Sequence, residues 1–208
     1  MIKYIDERNT YIDKNVIIGD GTTIYPNVFI EGNTRIGCNC FIGPGTFIRD
    51  CVIGDNTIIY SSQIFGSIIG SNNLIGPFAN IRENNKIGNN NRLGSFVEFK
   101  NNIIGNNNKI PHLSFIGDAI LENDIHIGCG SITVNKKALS KVGERETTII
   151  KNSAFIGCNV NMLAPITIGE DSVVAAGSTV NQDVESNSLA IARSRQTNKL
   201  NYNGRQKI

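Results

Sequence analysis

The chain has 208 residues, of which 40% are hydrophobic, 18% charged and 7% aromatic, and this composition allows one domain of ordinary size. The net charge of +2 and the lack of a Lys/Arg block interleaved with aromatic residues argue against binding driven by nucleic-acid phosphates. No apolar run approaches the roughly 18–20 residues that span a bilayer, and the N-terminal residues lack the apolar region of a signal peptide. We therefore expect a cytoplasmic protein with no membrane or nucleic-acid partner.

The five cysteines form an odd number and include no Cys-x-x-Cys pair. Neither a disulfide framework nor a zinc knuckle is therefore predicted. We expect reduced thiols that occupy positions for small residues. The five are Cys38, Cys40, Cys51, Cys129 and Cys158.

A large apolar residue returns at every sixth position along most of the chain, with occasional shifts of the frame. The series runs through Ile12, Ile18, Ile24, Ile30, Ile36, Ile42 and Ile48, then Ile53, Ile59 and Phe65, then Ile69, Ile75, Ile81, Ile87, Leu93 and Phe99. It continues through Ile104, Ile110, Ile116, Leu121 and Ile127, and after an interruption through Ile150, Ile156, Met162, Ile168, Val174 and Val180.

A period of six fits neither a helix, whose period is 3.6, nor one long strand, whose period is two. It predicts a solenoid in which each hexad supplies one short strand and one corner, with the apolar residue pointing inward. Small or β-branched residues precede the apolar ones by two positions, at Val16, Thr22, Thr34, Cys40, Thr46, Cys51, Ser172 and Ser178. The Gly and Asn residues that follow are typical of corners with positive φ.

The hexads break in two places. The polar segment 133–148 is predicted to be a loop that leaves the solenoid and returns. The tail after Val184 loses the repeat, and we expect a short helix or an arm there, before a disordered end. Residues 1–11 are expected to cap the other end, because a solenoid needs cover at both ends. The predicted division is a solenoid domain over 1–184 and a C-terminal arm over 185–208.

The stretch from Gly94 to Asp118 carries Glu98, Lys100 and His112, which is one of only two histidines. An acid, a base and a cation gathered inside a structural repeat suggest that chemistry happens there. Considered alone, a histidine after Pro111 at a solenoid corner is more readily explained as a solvated surface residue than as a catalytic one.

The hexads resemble the left-handed parallel β-helix of hexapeptide-repeat acyltransferases, in which three hexads close one triangular turn. Six segments carry a closer resemblance: Ile75–Arg82, Gly94–Lys100, His112–Asp118, Gly128–Asn135, Phe155–Asn159 and Leu189–Gln196. Together they resemble the C-terminal acetyltransferase domain of the bifunctional N-acetylglucosamine-1-phosphate uridyltransferase, from about Ile5 to Lys199.

The resemblance implies an all-β, homotrimeric N-acetyltransferase that uses acetyl-coenzyme A and no metal, and that acts on an amino-sugar phosphate such as glucosamine 1-phosphate. The product leads to UDP-N-acetylglucosamine and peptidoglycan precursors. The uridyltransferase half of that enzyme has no counterpart in this sequence, so we do not expect this chain to make a UDP-sugar by itself.

The resemblance also implies roles for individual residues. His112 matches the general base that takes a proton from the acceptor amine, a task that suits an imidazole side chain. Glu98 matches the carboxylate that orients the histidine. Arg82 and Lys100 match the cations that hold the sugar phosphate.

Four further residues match positions that contact the acceptor in the family. They are Phe115, His126, Asn135, and Lys141, a loop lysine that reaches a neighbouring subunit's phosphate. The coenzyme positions match Cys129, Cys158, Ala175 or Ala176, Arg193 and Lys199. The small side chains at Cys129, Cys158 and Ala175 or Ala176 let the pantetheine arm lie against the backbone. The two cations, Arg193 and Lys199, face coenzyme phosphates.

Three acceptor positions depart from the family pattern. Phe115 replaces Tyr, His126 replaces Asn, and the loop reads Asn135-Lys136-Lys137-Ala138 instead of Asn-Tyr-Asp-Gly. These changes predict a preference for an acceptor that differs from glucosamine 1-phosphate while still carrying an acidic group.

Two other classes of protein stay open. Hexad solenoids include zinc-dependent carbonic anhydrase-like proteins, but their site needs three histidine ligands and this chain has only His112 and His126. The other class is a catalytically silent trimeric scaffold, in which the altered loop has closed the acceptor site.

Overall fold

The computed structural model describes residues 1–136, 141 and 143–200. They form a left-handed parallel β-solenoid of about ten turns, and each turn contributes a strand of two to four residues to each of three sheets. The described residues include one short 3₁₀ helix, Glu7–Asn9, and no helix long and apolar enough to cross a membrane. The predicted hexapeptide-repeat β-helix is confirmed.

The three sheets, here named A, B and C in the order in which a turn visits them, are the three sides of the solenoid. Sheet A consists of β1 (Lys3–Tyr4), β4 (Thr23–Ile24), β7 (Phe41–Ile42), β10 (Ile58–Ile59), β13 (Leu74–Ile75), β16 (Arg92–Ser95), β19 (Lys109–His112), β22 (His126–Ile127), β25 (Phe155–Ile156), β28 (Val173–Val174) and β30 (Leu189–Ala190). Sheet B consists of β2 (Thr10–Ile12), β5 (Val28–Glu31), β8 (Phe47–Arg49), β11 (Gln63–Phe65), β14 (Asn80–Ile81), β17 (Glu98–Lys100), β20 (Phe115–Gly117), β23 (Ile132–Val134), β26 (Asn161–Leu163) and β29 (Thr179–Val180). Sheet C consists of β3 (Ile17–Ile18), β6 (Arg35–Ile36), β9 (Val52–Ile53), β12 (Ile68–Ile69), β15 (Lys86–Ile87), β18 (Ile103–Ile104), β21 (Ala119–Leu121), β24 (Thr148–Ile150) and β27 (Ile166–Ile168).

The hexad residues form the core, because each one stacks on its equivalent in the next turn. On sheet A, Ile24 pairs with Ile42, Ile42 with Ile59, and Ile59 with Ile75, and all four are fully buried. One turn therefore takes 18, then 17, then 16 residues between these partners. The inner residues keep their alignment although the corners differ in length.

The inner residue of β11 was predicted wrongly. The hexad frame assigned Phe65 to the core, whereas Ile64 is fully buried and Phe65 is only half-buried. The steps from Ile59 to Ile64 and from Ile64 to Ile69 are both five residues, so two successive corners are each one residue short. The Phe65 ring lies outside, where it packs edge-on against Phe47 and under the Arg49 guanidinium.

The residues two places before the core positions are buried at the corners, as expected for Thr22, Cys40 and their equivalents, whereas Val16 is only half-buried. In the middle turns asparagine fills this place. The Oδ1 atoms of Asn73, Asn91 and Asn108 each accept a backbone N–H from the next turn at 2.8 Å. Such ladders satisfy corner amides that sheet pairing leaves without a partner.

Both ends of the solenoid are covered by paired chain. Strands β1 and β2 lie within or adjoin the predicted cap 1–11 and pair with β4 and β5. At the other end, β30 pairs with β28 beyond Val184. The amide of Ala192 donates to Ser178 Oγ, and its carbonyl accepts from Thr179 N, both at 3.1 Å. Residues 185–200 therefore form the arm and not the helix, because the segment continues against the last turn; residues 201–208 lie outside the described range.

The five cysteines are free, as expected. Burial raises the pKa of the Cys51 thiol to about 11 and also raises the pKa of Cys40. Both thiols are therefore poor nucleophiles at neutral pH and act as small packing residues.

Candidate active site

His112 lies at the end of β19, on the corner where sheet A turns into sheet B. It pairs with Ser95 in β16, and its carbonyl accepts a hydrogen bond of 2.9 Å from Ser114 Oγ. Leu113 follows with a φ of 48°, and its amide donates to the Ser95 carbonyl at 3.0 Å. The backbone around His112 is thus held on both sides, while its imidazole is exposed to solvent.

The predicted coenzyme residues continue the same corner. His112 comes two residues after the core residue Ile110, and Cys129, Cys158 and Ala176 come two residues after Ile127, Ile156 and Val174. Those three core residues pair with one another in successive turns of sheet A. We call the row Ser95, His112, Cys129, Cys158 and Ala176 the corner column.

Small residues follow Cys129 and Ala176 in the part of the corner column that is predicted to bind the coenzyme, here named the coenzyme half (Cys129, Cys158 and Ala176). Gly130 and Gly177 take the left-handed conformation there, and a Cβ on Gly130 would lie only 2.2 Å from Asn159 Oδ1. The amide of Asn159 therefore covers Gly130 closely. The corner hydrogen bonds from Asn159 N to Cys129 O and from Gly177 N to Cys158 O both measure 2.8 Å.

The remaining predicted coenzyme residues differ in their positions. Arg193 lies over the end of the corner column, since its Cδ is 3.6 Å from the position of a Cβ on Gly177. Ala175 donates from its amide to Ala190 within sheet A, so Ala176 is the residue that belongs to the column. Lys199 is exposed on the arm.

The predicted acid and cations gather on the outer side of sheet B. Glu98 in β17 pairs with Phe115 in β20, and its Oε1 accepts from Arg82 Nη1 at 2.9 Å. Lys100 ends the same strand as Glu98 and, within the described residues, has no ion-pair partner. The carboxylate that was expected to orient His112 thus contacts Arg82, and no hydrogen bond joins Glu98 to His112 in the described part of the chain.

His126 lies on a different side of the molecule from Phe115. Its ring stacks on Phe155 on the outer face of sheet A, with ring centroids 5.0 Å apart and planes 16° apart. Burial, and then the neighbouring Lys109 charge, lower the pKa of His126 below its usual value. One copy of the chain therefore does not bring His126 and Phe115 into one pocket.

The loop is fixed at its base by Asp118, a residue that the sequence alone did not single out. Its carboxylate is only 9% exposed and accepts from Asn101 Nδ2 at 2.6 Å and from Asn135 Nδ2 at 2.5 Å, with Arg145 Nε 3.9 Å away. The Asp118 amide donates to Lys100 O, and Glu146 N donates to Asn135 O. Asp118 thus joins both ends of the loop to the turn that carries Lys100. The available signal was an acid at the corner that follows β20, one turn before the corner from which the loop departs.

The other loop residues are less constrained. The amide of Lys141 donates to Glu144 Oε2 at 3.0 Å, and the side chains of Lys136 and Lys141 are exposed. Lys137 and Ala138, which belong to the altered loop sequence, lie outside the described residues. The role predicted for Lys141 stays a prediction.

A groove of about 710 Å³ lies on the outer side of sheet C, away from the corner column. Its lining includes Lys86, Asn101, Ile103, Asp118 and Arg145. His112 and the predicted coenzyme residues are not among its lining residues. The groove and the candidate active site are therefore different parts of the surface. The described residues contain no group of three or more His, Cys, Asp or Glu that could hold a metal ion.

The chain is similar to known proteins over nearly its whole length. Two proteins described as the bifunctional protein GlmU match nearly the whole chain. The one from Geobacillus sp. (strain WCH70) is 48% identical over 207 residues, covering 100% of this chain and 44% of its own length. The one from Exiguobacterium sibiricum is 45% identical over 201 residues, covering 97% of this chain and 44% of its own length. This chain is a homologue of the C-terminal part of GlmU.

The family resemblance predicted from the six segments is thereby confirmed, although the chain spans less than half the length of these GlmU relatives. Two family models match as well: the GMPPB C-terminal domain at residues 8–85, and the bacterial transferase hexapeptide (six repeats) at residues 147–182.

Solved structures show the same fold at low identity. The UDP-N-acetylglucosamine acyltransferase of Francisella novicida has a TM-score of 0.64 at 21% identity, covering 92% of this chain and 67% of its own. The Arabidopsis enzyme of the same description has a TM-score of 0.66 at 19% identity, covering 90% of this chain and 71% of its own. The GlmU and hexapeptide transferase matches support an acyltransferase activity.

Proposed function

We propose that this chain transfers an acetyl group from acetyl-coenzyme A to the primary amine of an amino-sugar phosphate such as glucosamine 1-phosphate, with His112 as the general base. The observation that carries this proposal is the corner column. A thioester arm laid along Ala176, Cys158 and Cys129 ends beside the exposed His112 imidazole. The GlmU homology supports the same assignment.

The reaction follows from this placement. The acceptor nitrogen attacks the thioester carbonyl, so a C–N bond forms and the C–S bond of the coenzyme breaks. The imidazole of His112 takes the proton that the amine loses and returns it to the leaving thiolate. Cys129 and Cys158 act as small wall residues, and Arg193 and Lys199 bind coenzyme phosphates. The transfer step itself needs no metal.

The acceptor is held by cations on sheet B. Lys100 offers an ammonium group, and Arg82 offers guanidinium donors beyond the one that Glu98 engages. Phe115 lies one strand further along, and Asn135 is presented by its bond to Asp118. Because Phe115, His126 and Lys136 alter polarity, volume and charge, we expect an amine with a phosphate or another acidic group, and weak use of glucosamine 1-phosphate itself.

The complete site needs a second copy. Phe115 and His126 point from different sides of the solenoid, so both reach one acceptor only where sheet B of one copy faces sheet A of another. A closed ring of three copies provides three such clefts. We therefore propose a cytoplasmic homotrimer with its acyl-transfer sites between subunits.

A thiol-release assay with acetyl-coenzyme A and a panel of aminohexose phosphates tests the function. His112→Ala should lower turnover by roughly 10²–10⁴-fold, because general-base removal has that effect, while calorimetry shows unchanged coenzyme binding. Ser95→Ala, in the same column one turn away, is the matched control and should keep most activity. Unchanged turnover in His112→Ala contradicts its role as base. Binding of acetyl-coenzyme A without turnover on any acceptor indicates the silent scaffold instead.

A further inference from the structure

Three bulky apolar residues occupy corners that normally require small or amide side chains. Among the described residues, the non-glycine positions with positive φ are mostly Asn or Asp, with two Ser. Phe78, Phe96 and Leu113 are the exceptions, with φ of 61°, 56° and 48°. They lie at the corner between sheets A and B in successive turns, and Leu113 directly follows His112. We call these three residues the apolar ladder.

The corners of Phe96 and Leu113 carry hydrogen bonds between turns as other corners do, while the cis peptide bond Gly76–Pro77 directly precedes Phe78. Leu113 N donates to Ser95 O at 3.0 Å and Phe96 N to Phe78 O at 3.2 Å, as Asn159 N does to Cys129 O. The corner imposes the left-handed conformation, which is unfavourable for a residue that carries a side chain. A bulky apolar residue is unusual in this conformation.

Burial within the chain does not offset this cost. Phe78, Phe96 and Leu113 are 57%, 59% and 58% exposed, and the two phenyl rings stack on each other with centroids 5.3 Å apart. Strained, exposed and bulky residues that persist side by side at a candidate site point to a functional use.

The apolar ladder ends where the coenzyme half of the corner begins. The next three turns carry Gly130, Asn159 and Gly177 at the same corner position, and the Asn159 side-chain amide lies close to Gly130. A thioester arm that lies along these turns reaches His112 and then meets the exposed side chain of Leu113. Phe96 occupies the same corner position in the turn beyond.

We propose that Leu113, supported by Phe96, is the stop that limits the acyl group to a short chain. This inference rests on the proposed function and deepens it: the carbonyl carbon lies beside His112, and carbons beyond the methyl group of an acetyl unit run into the Leu113 side chain. Leu113 is therefore a residue that determines specificity for the acyl donor.

The test compares kcat/KM for acetyl-, butyryl- and hexanoyl-coenzyme A, with the best acceptor of the panel, in wild type, Leu113→Gly and Leu113→Asn. Wild type should prefer acetyl. Leu113→Gly should reduce that preference over butyryl by at least about tenfold, a typical effect of opening a pocket by a few carbons, and Leu113→Asn by less. Asn27→Gly, at the same corner in a distant turn, is the matched control and should leave the preference unchanged.

An unchanged preference in Leu113→Gly, or equal use of butyryl by wild type, overturns the stop. A changed acceptor KM with an unchanged donor preference also overturns it, since the ladder then contacts the acceptor. Calorimetry with the three thioesters, without acceptor, separates this inference from the proposed function. If nothing is turned over, the function fails. In that case, weaker binding of butyryl- than of acetyl-coenzyme A by wild type, with the difference lost in Leu113→Gly, still supports the stop. Equal affinities of wild type for the two thioesters contradict it.

Discussion

The carboxylate of Asp118 is largely buried and connects the loop to the turn that carries Lys100. It accepts from Asn101 and Asn135, and its backbone amide donates to Lys100 O. Removing the carboxylate takes the acceptor from both amides; the exposed Asn101 amide then turns to water, whereas the part-buried Asn135 amide loses a hydrogen bond worth about 1 kcal/mol. The same change releases Asn135 from the position in which it is presented.

We predict that Asp118→Ala raises the acceptor KM several-fold, leaves the coenzyme KM nearly unchanged and speeds hydrogen exchange at the Glu146 amide. Asp50→Ala is the matched control. Asp50 occupies the equivalent corner with a φ of 53°, and its carboxylate accepts from Asn33 N at 2.9 Å, far from the candidate site. Both variants should lose stability, but only Asp118→Ala should change the acceptor KM. Equal kinetic effects would show that Asp118 contributes stability alone.

The sequence proposes the residues of the candidate site but not their pairings. The family segments propose His112, Glu98 and the coenzyme positions, and the periodicity placed small residues at corners. The Arg82–Glu98 ion pair depends on register between turns, which the sequence does not state directly. Asp118 was missed because a single acid at a corner resembles the ordinary turn residues Asp50 and Asp124.

At the scale of one turn, we expect the bulky residues of the apolar ladder to lower the stability of the fold while they serve the proposed function. Replacing Leu113 by Asn puts a residue that tolerates positive φ into an unchanged corner. Since Leu113 buries little apolar surface within the chain, the free energy of unfolding should rise by about 1 kcal/mol.

Urea unfolding, followed by circular dichroism at fixed protein concentration, measures this difference. Asn27→Leu is the reverse experiment, because it places a bulky residue at the equivalent corner of a distant turn, and stability should fall by a similar amount. A loss of stability in Leu113→Asn would show that contacts of the Leu113 side chain outweigh the backbone strain.

The sequence predicted the fold correctly where the six-residue period was regular. The prediction was wrong where the turns changed length. Stacked hexads specify three sheets because each inner residue must meet its equivalent in the next turn. The expectation for Phe65 was wrong because two corners each lose one residue, and six-residue counting hides a pair of five-residue steps. The buried asparagine ladders were not predicted, since Asn before an aliphatic residue reads equally well as an exposed turn.

For the molecule as a whole, the positions of the site residues decide how many copies one site requires. His112 lies on the corner between sheets A and B, and Lys141 lies on the loop near the opposite end of sheet B. The Lys141 amide is bonded to Glu144, but its exposed side chain has no partner within the described residues. In the proposed ring, that side chain serves the acceptor bound beside the neighbour's His112.

Mixed trimers test this arrangement. His112→Ala and Lys141→Ala should each be nearly inactive alone, the second through a higher KM for a phosphorylated acceptor. When the two variants are unfolded together and refolded at micromolar concentration, subunits combine at random around the ring. Roughly one quarter of the sites should then contain both native residues and recover activity, because each copy contributes to two different sites. Refolding each variant separately and mixing afterwards is the control and should restore nothing. A trimeric mass by sedimentation with no recovered activity would place both residues in one subunit's site, and a monomeric mass would contradict the ring itself.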